Sequence, residues 1–221
     1  MRKVMFFLNT VRQLSVVIAT IVIVGSLSSC SKGQEDVNEQ VHSSVNKIQQ
    51  SIDNPASSKM SASSNPYDYV KNNEDFEAII ALGVAALPEL NQLLDNSEQD
   101  GLMEYIYAIA LEQISKVDMS KETDWSTGKE FLKTYTTYLK EIPDKVKLIA
   151  NEPISDTEKI DQLKELGTPA IPYIFNIIDN GHQELSPALD YLTDNKSKGD
   201  IRKWSVENID QLNLLTNFVE K

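Results

Sequence analysis

The chain predicts an all-α fold, and three observations carry that prediction. A 17-residue block occurs twice: Ile80 to Asn96 reads IALGVAALPELNQLLDN, and Lys164 to Asn180 reads KELGTPAIPYIFNIIDN. Leu, Gly, Ala, Pro, Asp and Asn recur at identical offsets, and Leu87, Leu90, Leu93 and Leu94 are answered by Ile171, Ile174, Ile177 and Ile178. Segment after segment then sets apolar residues at the three- and four-residue spacing of one helix face, between capping residues. Sustained period-two alternation is missing, and β-branched runs occur only in the first 29 residues.

Each copy of the block reads as a helix that ends, a tight turn at Gly83 or Gly167, and a second helix that starts at once. Glycine takes positive φ without a Cβ penalty, so both are expected with positive φ at helix C-termini. The two glycines stand 84 residues apart, about two periods of 42, inside the range of roughly 40–47 residues known for armadillo and HEAT repeats. The pattern Leu-Gly-x-x-Ala-Ile/Leu-Pro-x-Leu/Ile-x-x-Leu/Ile-Leu/Ile-Asp resembles the turn and first helix of a HEAT-type repeat. That resemblance implies a short α-helical repeat stack with a degenerate middle repeat, since the period around Asp124 lacks Leu-Gly. The competing architecture is an irregular α-helical bundle with one duplicated helix-turn-helix. HEAT repeats are protein-binding scaffolds, so the resemblance implies a protein or peptide partner and leaves its identity open.

The start of the chain reads as an address. Arg2, Lys3 and Arg12 precede a 14-residue apolar run, Leu14 to Leu27, about 21 Å as a helix against a hydrocarbon core of roughly 30 Å. That is short for a span and suits a signal-peptide core. Leu27-Ser28-Ser29-Cys30 follows, and it resembles the bacterial lipobox: a large apolar residue and two small ones before the cysteine. The resemblance implies cleavage after residue 29 and a diacylglycerol, with or without a further palmitate-type chain, on Cys30. Cys30 is also the chain's one cysteine, so no internal disulfide competes for it. Two acyl chains anchor a protein stably. The expected location is the extracytoplasmic face of the cell membrane, or the outer membrane in a two-membrane host, where Ser31 resembles an outer-membrane sorting signal. Residues 1–29 are thus expected as signal peptide, 30–66 as lipidated cysteine and flexible polar tether, and 67–221 as the helical domain. Within the tether Val37, Val41, Val45, Ile48 and Ile52 recur at helical spacing, which leaves a transient or partner-dependent helix from about Glu35 to Ile52 open. The stripe is thin, and a solvated linker or marginal helix is preferred over a coiled coil.

From Tyr67 the elements follow in order. Asn72 or Asn73 caps a helix with Phe76, Ile79, Ile80 and Leu82, and Gly83 ends it. Pro88 falls in the first turn of the next helix, where a missing N–H costs nothing. Asp95 to Gly101 is a polar loop without EF-hand spacing. Leu102 to Lys116 is apolar around most of its circumference and is expected between neighbours. Thr127 and Glu130 have capping-box spacing ahead of Phe131 to Leu139. Pro143 is expected to open a short helix of its own, and Ser155 with Glu158 to cap the helix that Gly167 stops. After the second copy come Leu185 to Leu192 and a last amphipathic helix, Ser205 to Val219, whose inner face is expected to hold Val206, Ile209, Leu212, Leu215 and Val219.

The formal charge of −12 repels phosphate backbones, which argues against nucleic-acid binding. Loss of residues 1–29, which carry three basic residues and no acid, makes the chain more acidic still. Nucleophilic catalysis needs a positioned base, and only His42 and His182 are present. Clustered metal ligands and a full phosphate-binding loop are missing, so no metal, cofactor or catalytic residue is assigned. Acid pairs such as Glu74–Asp75 and Glu122–Asp124 read as solvated faces. Trp125 and Trp204 sit at element boundaries and read as packing residues in preference to binding anchors. The leading expectation is a lipid-anchored, non-enzymatic module that docks an envelope protein or peptide. The rivals are an envelope hydrolase using spatially paired carboxylates and a small-solute receptor.

Overall fold

Every regular element is a helix in the computed structural model, among the residues it describes, 33–54 and 63–221. Residues 1–29, expected as signal peptide, and Cys30 lie outside them. The chain forms two compact units, Met1–Glu39 and Gln40–Lys221. The first is described only over residues 33–39, which are helical.

Capping chemistry starts the helices where the sequence places it. The Asn73 side chain accepts the N–H groups of Asp75 and Phe76 and opens α3 (Glu74–Ala81), just after the single turn α2 (Tyr67–Val70). Gly83–Ala86 makes a 3₁₀ turn into α4 (Leu87–Asn96), with Pro88 in its first turn. The axis bends by 102° across this break, a helix-turn-helix corner. Next comes α5 (Leu102–Ser115). Thr127 caps α6 (Gly128–Asn151), and Ser155 caps α7 (Asp156–Glu165) through a reciprocal bond with Glu158. The second copy repeats the plan with a 3₁₀ turn, Thr168–Ala170, leading to α8 (Ile171–Asp179) and then α9 (Ser186–Leu192). Two short helices close the chain, α10 (Ile201–Glu207) and α11 (Ile209–Val219).

The duplication extends beyond the 17-residue block. Within Gln40–Lys221 it makes two three-helix units: in the first, α3 and α4 both pack on α5, and in the second, α7 and α8 both pack on α9. Equivalent positions have equivalent burial: Ile79 with Leu163, Ala86 with Ala170, Leu87 with Ile171, Leu90 with Ile174 and Leu94 with Ile178 are all buried. Leu93 and Ile177 are both half-buried. The long α6 touches α4 and α5 on one side and α7 and α8 on the other, and α11 lies against α8 and both 3₁₀ turns. The core is therefore two three-helix units gripping one shared helix.

Three expectations need correction. Residues 33–53, read as tether, form a helix, α1. Its thin stripe is enough: Val41, Val45 and Ile48 are buried, and His42 and Lys47 pair with Glu89 and Asp75 at 2.8 and 3.3 Å. Pro143 does not open a helix but lies inside α6. The apolar stripe Tyr135, Leu139, Ile142, Val146 and Ile149 stays in phase across it and is buried throughout. Packing therefore outweighs the roughly 3 kcal/mol cost of an interior proline. The last helix breaks at Asn208, whose side chain donates to the Trp204 carbonyl at 2.8 Å. That break turns Val206 outward, 74% exposed, and leaves Ile209 exposed as well. Gly83 and Gly167 both have the expected positive φ, +59° and +75°; at Gly167 ψ is −175°, the extended region open essentially to glycine alone.

Close approach fixes the join between the first unit and α6. A Cβ on Gly128 would stand 2.5 Å from the Glu104 carbonyl oxygen, so the helix start needs glycine there. Lys129 next to it donates through Nζ to the Leu94 and Asp95 carbonyls at the end of α4. The Glu104 side chain is buried; it accepts from Ser97 Oγ at 2.5 Å and from the Gly101 N–H at 2.8 Å. Burial pushes its carboxyl pKa up, but these bonds outweigh burial and hold it below the usual range. A depressed folded pKa means stability that is present above the ordinary carboxylate value and lost as pH falls through the folded one. Thermal unfolding of the wild type should therefore move to lower temperature on acidification below about pH 4. Glu104→Gln should unfold earlier at neutral pH and show a shallower acid slope; equal slopes would remove Glu104 from the explanation.

Candidate functional site

An open cleft of about 650 Å³ lies where the end of α5, the connection into α6, the second half of α6, α7 and α9 meet. Its geometry starts from the second motif turn. A Cβ on Gly167 would stand 2.2 Å from the Ser115 carbonyl oxygen and 2.5 Å from Val117 Cγ2. Thr168 Oγ1 donates to the Ile114 carbonyl at 3.1 Å. The turn thus sits directly on the end of α5, and Val117 and Leu166 become part of the cleft lining together with Ile149. Gly83 has φ +59° with open space beside it, so its glycine answers to backbone conformation alone.

After α5 the chain turns at Lys116, a left-handed residue with φ 54° and ψ 34°. Asp118 then caps a 3₁₀ turn, Met119–Lys121, whose Met119 is fully buried. Glu112 accepts the Met119 N–H at 2.8 Å; burial raises its carboxyl pKa, and that bond offsets part of the rise.

The walls are charged and mixed in sign. Lys121 meets Glu165 at 2.9 Å, Lys164 meets Asp161 at 2.9 Å, and Lys145 lies 3.1 Å from Glu141 and 3.9 Å from Glu122. Lys116 donates to Asp194 at 2.7 Å. Two tyrosines receive the ammonium groups: Lys145 lies 4.6 Å from the Tyr138 ring centroid, and Lys116 and Lys164 lie 5.7 and 5.6 Å from that of Tyr191. Such contacts are worth roughly 0.5–1 kcal/mol at exposed sites. Tyr138 donates to the Glu165 carbonyl at 3.3 Å. Burial, and after it the nearby charges of Glu122 and Glu165, push its hydroxyl pKa up.

The residues singled out from sequence fall in different places. Gly167 supports the cleft, Gly83 lies at the other motif turn, and Cys30 is outside the described residues. Glu122 enters the cleft, whereas Asp75 pairs with Lys47 of α1. His42 pairs with Glu89, and His182 with Glu184 at 3.1 Å. Trp204 is buried; Trp125 is half-buried between Tyr105 and Phe131, with ring centroids at 4.7 and 5.1 Å. Among the described residues no three His, Cys, Asp or Glu side chains are placed to share a metal ion. Sequence reasoning missed Tyr191 and the lysines around it. One signal was readable: Lys116 occupies a helix-ending position of the kind glycine usually takes. No protein-family model, curated protein or solved structure matches the chain.

Proposed function

We propose that the chain is an extracytoplasmic lipoprotein, held at the membrane through Cys30, whose helical domain docks a protein or peptide segment in the α5–α6–α7–α9 cleft. The observation that carries the docking half is the cleft itself. It has an apolar floor at Val117, Ile149 and Leu166, mixed charges on its walls and an exposed tyrosine at its rim. Of its four carboxylates, Glu122, Asp161 and Glu165 each have a lysine as partner and Asp118 caps its own turn through Ser120, an arrangement that favours recognition over a carboxylate pair set for hydrolysis. The anchoring half rests on Leu27-Ser28-Ser29-Cys30 after a short apolar run. Among the described residues no single helix is long and apolar enough to cross a membrane.

Two measurements test the halves separately. Mass spectrometry of the membrane fraction should find residues 1–29 removed and acyl mass on Cys30, and Cys30→Ala should leave the protein unlipidated. An intact Met1 on the membrane-bound protein would refute lipidation. For docking, a photo-crosslinking residue in place of Tyr191 should capture a protein or peptide in intact cells, whereas the same residue on a distant face should not. Loss of a measurable turnover on neutralising Glu122 or Glu165, with nothing captured, would instead point to the hydrolase.

A further inference from the structure

We infer that the ligand of this cleft is a mixed-charge peptide segment, one carrying carboxylate and ammonium groups together, seated across the Tyr191 ring between Lys116 and Lys164. The inference rests on the docking reading and names the partner's chemistry.

The first argument is charge balance. Within a chain of net charge −12, the cleft walls hold four lysines against four carboxylates. Lys116 and Lys164 are partly exposed, and each holds one aspartate, Asp194 or Asp161. Exposed pairs of this kind are worth about 0–1 kcal/mol, so an incoming carboxylate displaces either aspartate at little cost. The displaced aspartate then lacks a cation. A purely acidic ligand leaves that charge unmatched, and a purely basic one strands the lysines in the same way. A peptide bearing both signs matches both members of each opened pair.

The second argument is the backbone. Lys116 has φ 54° and its partner Asp194 has φ 54° as well. A left-handed conformation costs a residue with a side chain roughly 1–2 kcal/mol relative to glycine. Two such residues meeting at one rim is the kind of strain that gathers at binding sites. Glycine at 116 would relieve it, but would also remove the ammonium group held over Tyr191. Tyr191 as a whole is 55% exposed, a large side chain left uncovered between two cations, and so available to stack on a peptide.

The test is titration of the full chain, in detergent, with four synthetic hexapeptides: alternating Lys-Glu, all-Glu, all-Lys and Gly-Ser. The alternating peptide should bind at least roughly tenfold more tightly than each of the others, about 1.4 kcal/mol, and should weaken with added salt. Lys116→Gly separates recognition from a merely structural tie between α5 and the turn after α9. It should lose peptide affinity while its thermal midpoint stays level or rises. A lowered midpoint with unchanged affinity would make Lys116 a structural brace and overturn the inference. So would preference for a single-sign peptide, or affinity unchanged by Tyr191→Ala. Failure of all four peptides, with a protein still captured through position 191 in cells, would sink the mixed-charge proposal and leave docking standing.

Discussion

Gly167→Ala is expected to cost about 3 kcal/mol or more, the sum of a conformation closed to alanine and a forced overlap. At φ +75° and ψ −175° a residue with a Cβ is strained wherever it points. Here the Cβ also meets the Ser115 carbonyl oxygen at 2.2 Å, and backbone cannot rotate away as a side chain can. The second unit must then lift off the end of α5, which opens the cleft floor at Val117 and Leu166. Gly83→Ala is the internal control. It has the same place in the motif and positive φ, but nothing within 4 Å of the added methyl, so about 1 kcal/mol is expected from conformation alone. Denaturant unfolding of the two variants measures the difference. Equal losses would mean that the close approach at Ser115 relaxes freely, and that the two turns are equivalent in energy as well as in sequence.

This asymmetry marks the limit of what the sequence shows. The motif places both glycines at positive φ, because a helix that stops and restarts within four residues needs them. It says nothing of what lies against either turn, since Ser115 and Val117 come from another element. The same distinction runs through the fold. Asn73, Thr127 and Ser155 act on their own first turns, so capping is a local property and can be read locally. Leu87, Leu90 and Leu94 repeat at helical spacing and are buried. Val206 and Ile209 share that spacing but are exposed, because the Asn208 break rotates one helix relative to the next. Pro143 looked like a boundary since its cost is local, while the burial of Ile142 and Val146 that offsets it is tertiary. The cleft was least legible. Lys116, Lys121, Lys145, Lys164 and Tyr191 come from a helix end, a connection and three helices, and converge only through the packing of α7 and α9 beside α6.

Ile48→Asp is expected to release α1 from the domain, the largest effect available from the segment read as tether. Ile48 is 1% exposed. Truncating such a side chain typically costs about 2–5 kcal/mol, and burying an unpaired carboxylate adds to that. Only Val41 and Val45 share its buried apolar stripe, so little remains to hold the helix down. The duplication gives α1 a counterpart. Glu89 of α4 and Tyr173 of α8 are equivalent positions, and each is tied to a segment from outside its own unit. Glu89 meets His42 of α1 at 2.8 Å, and Tyr173 donates to Glu220 beyond α11 at 3.5 Å. Each unit's second helix thus has a cover, one from before the units and one from after them. Amide exchange should show Ile48→Asp deprotecting residues 40–53 and the facing side of α4, with α6 and the second unit unchanged. Unchanged protection of residues 40–53 would mean that α1 is held by something other than this stripe. Collapse of protection across α6 would make α1 a part of the core and not a cover over it.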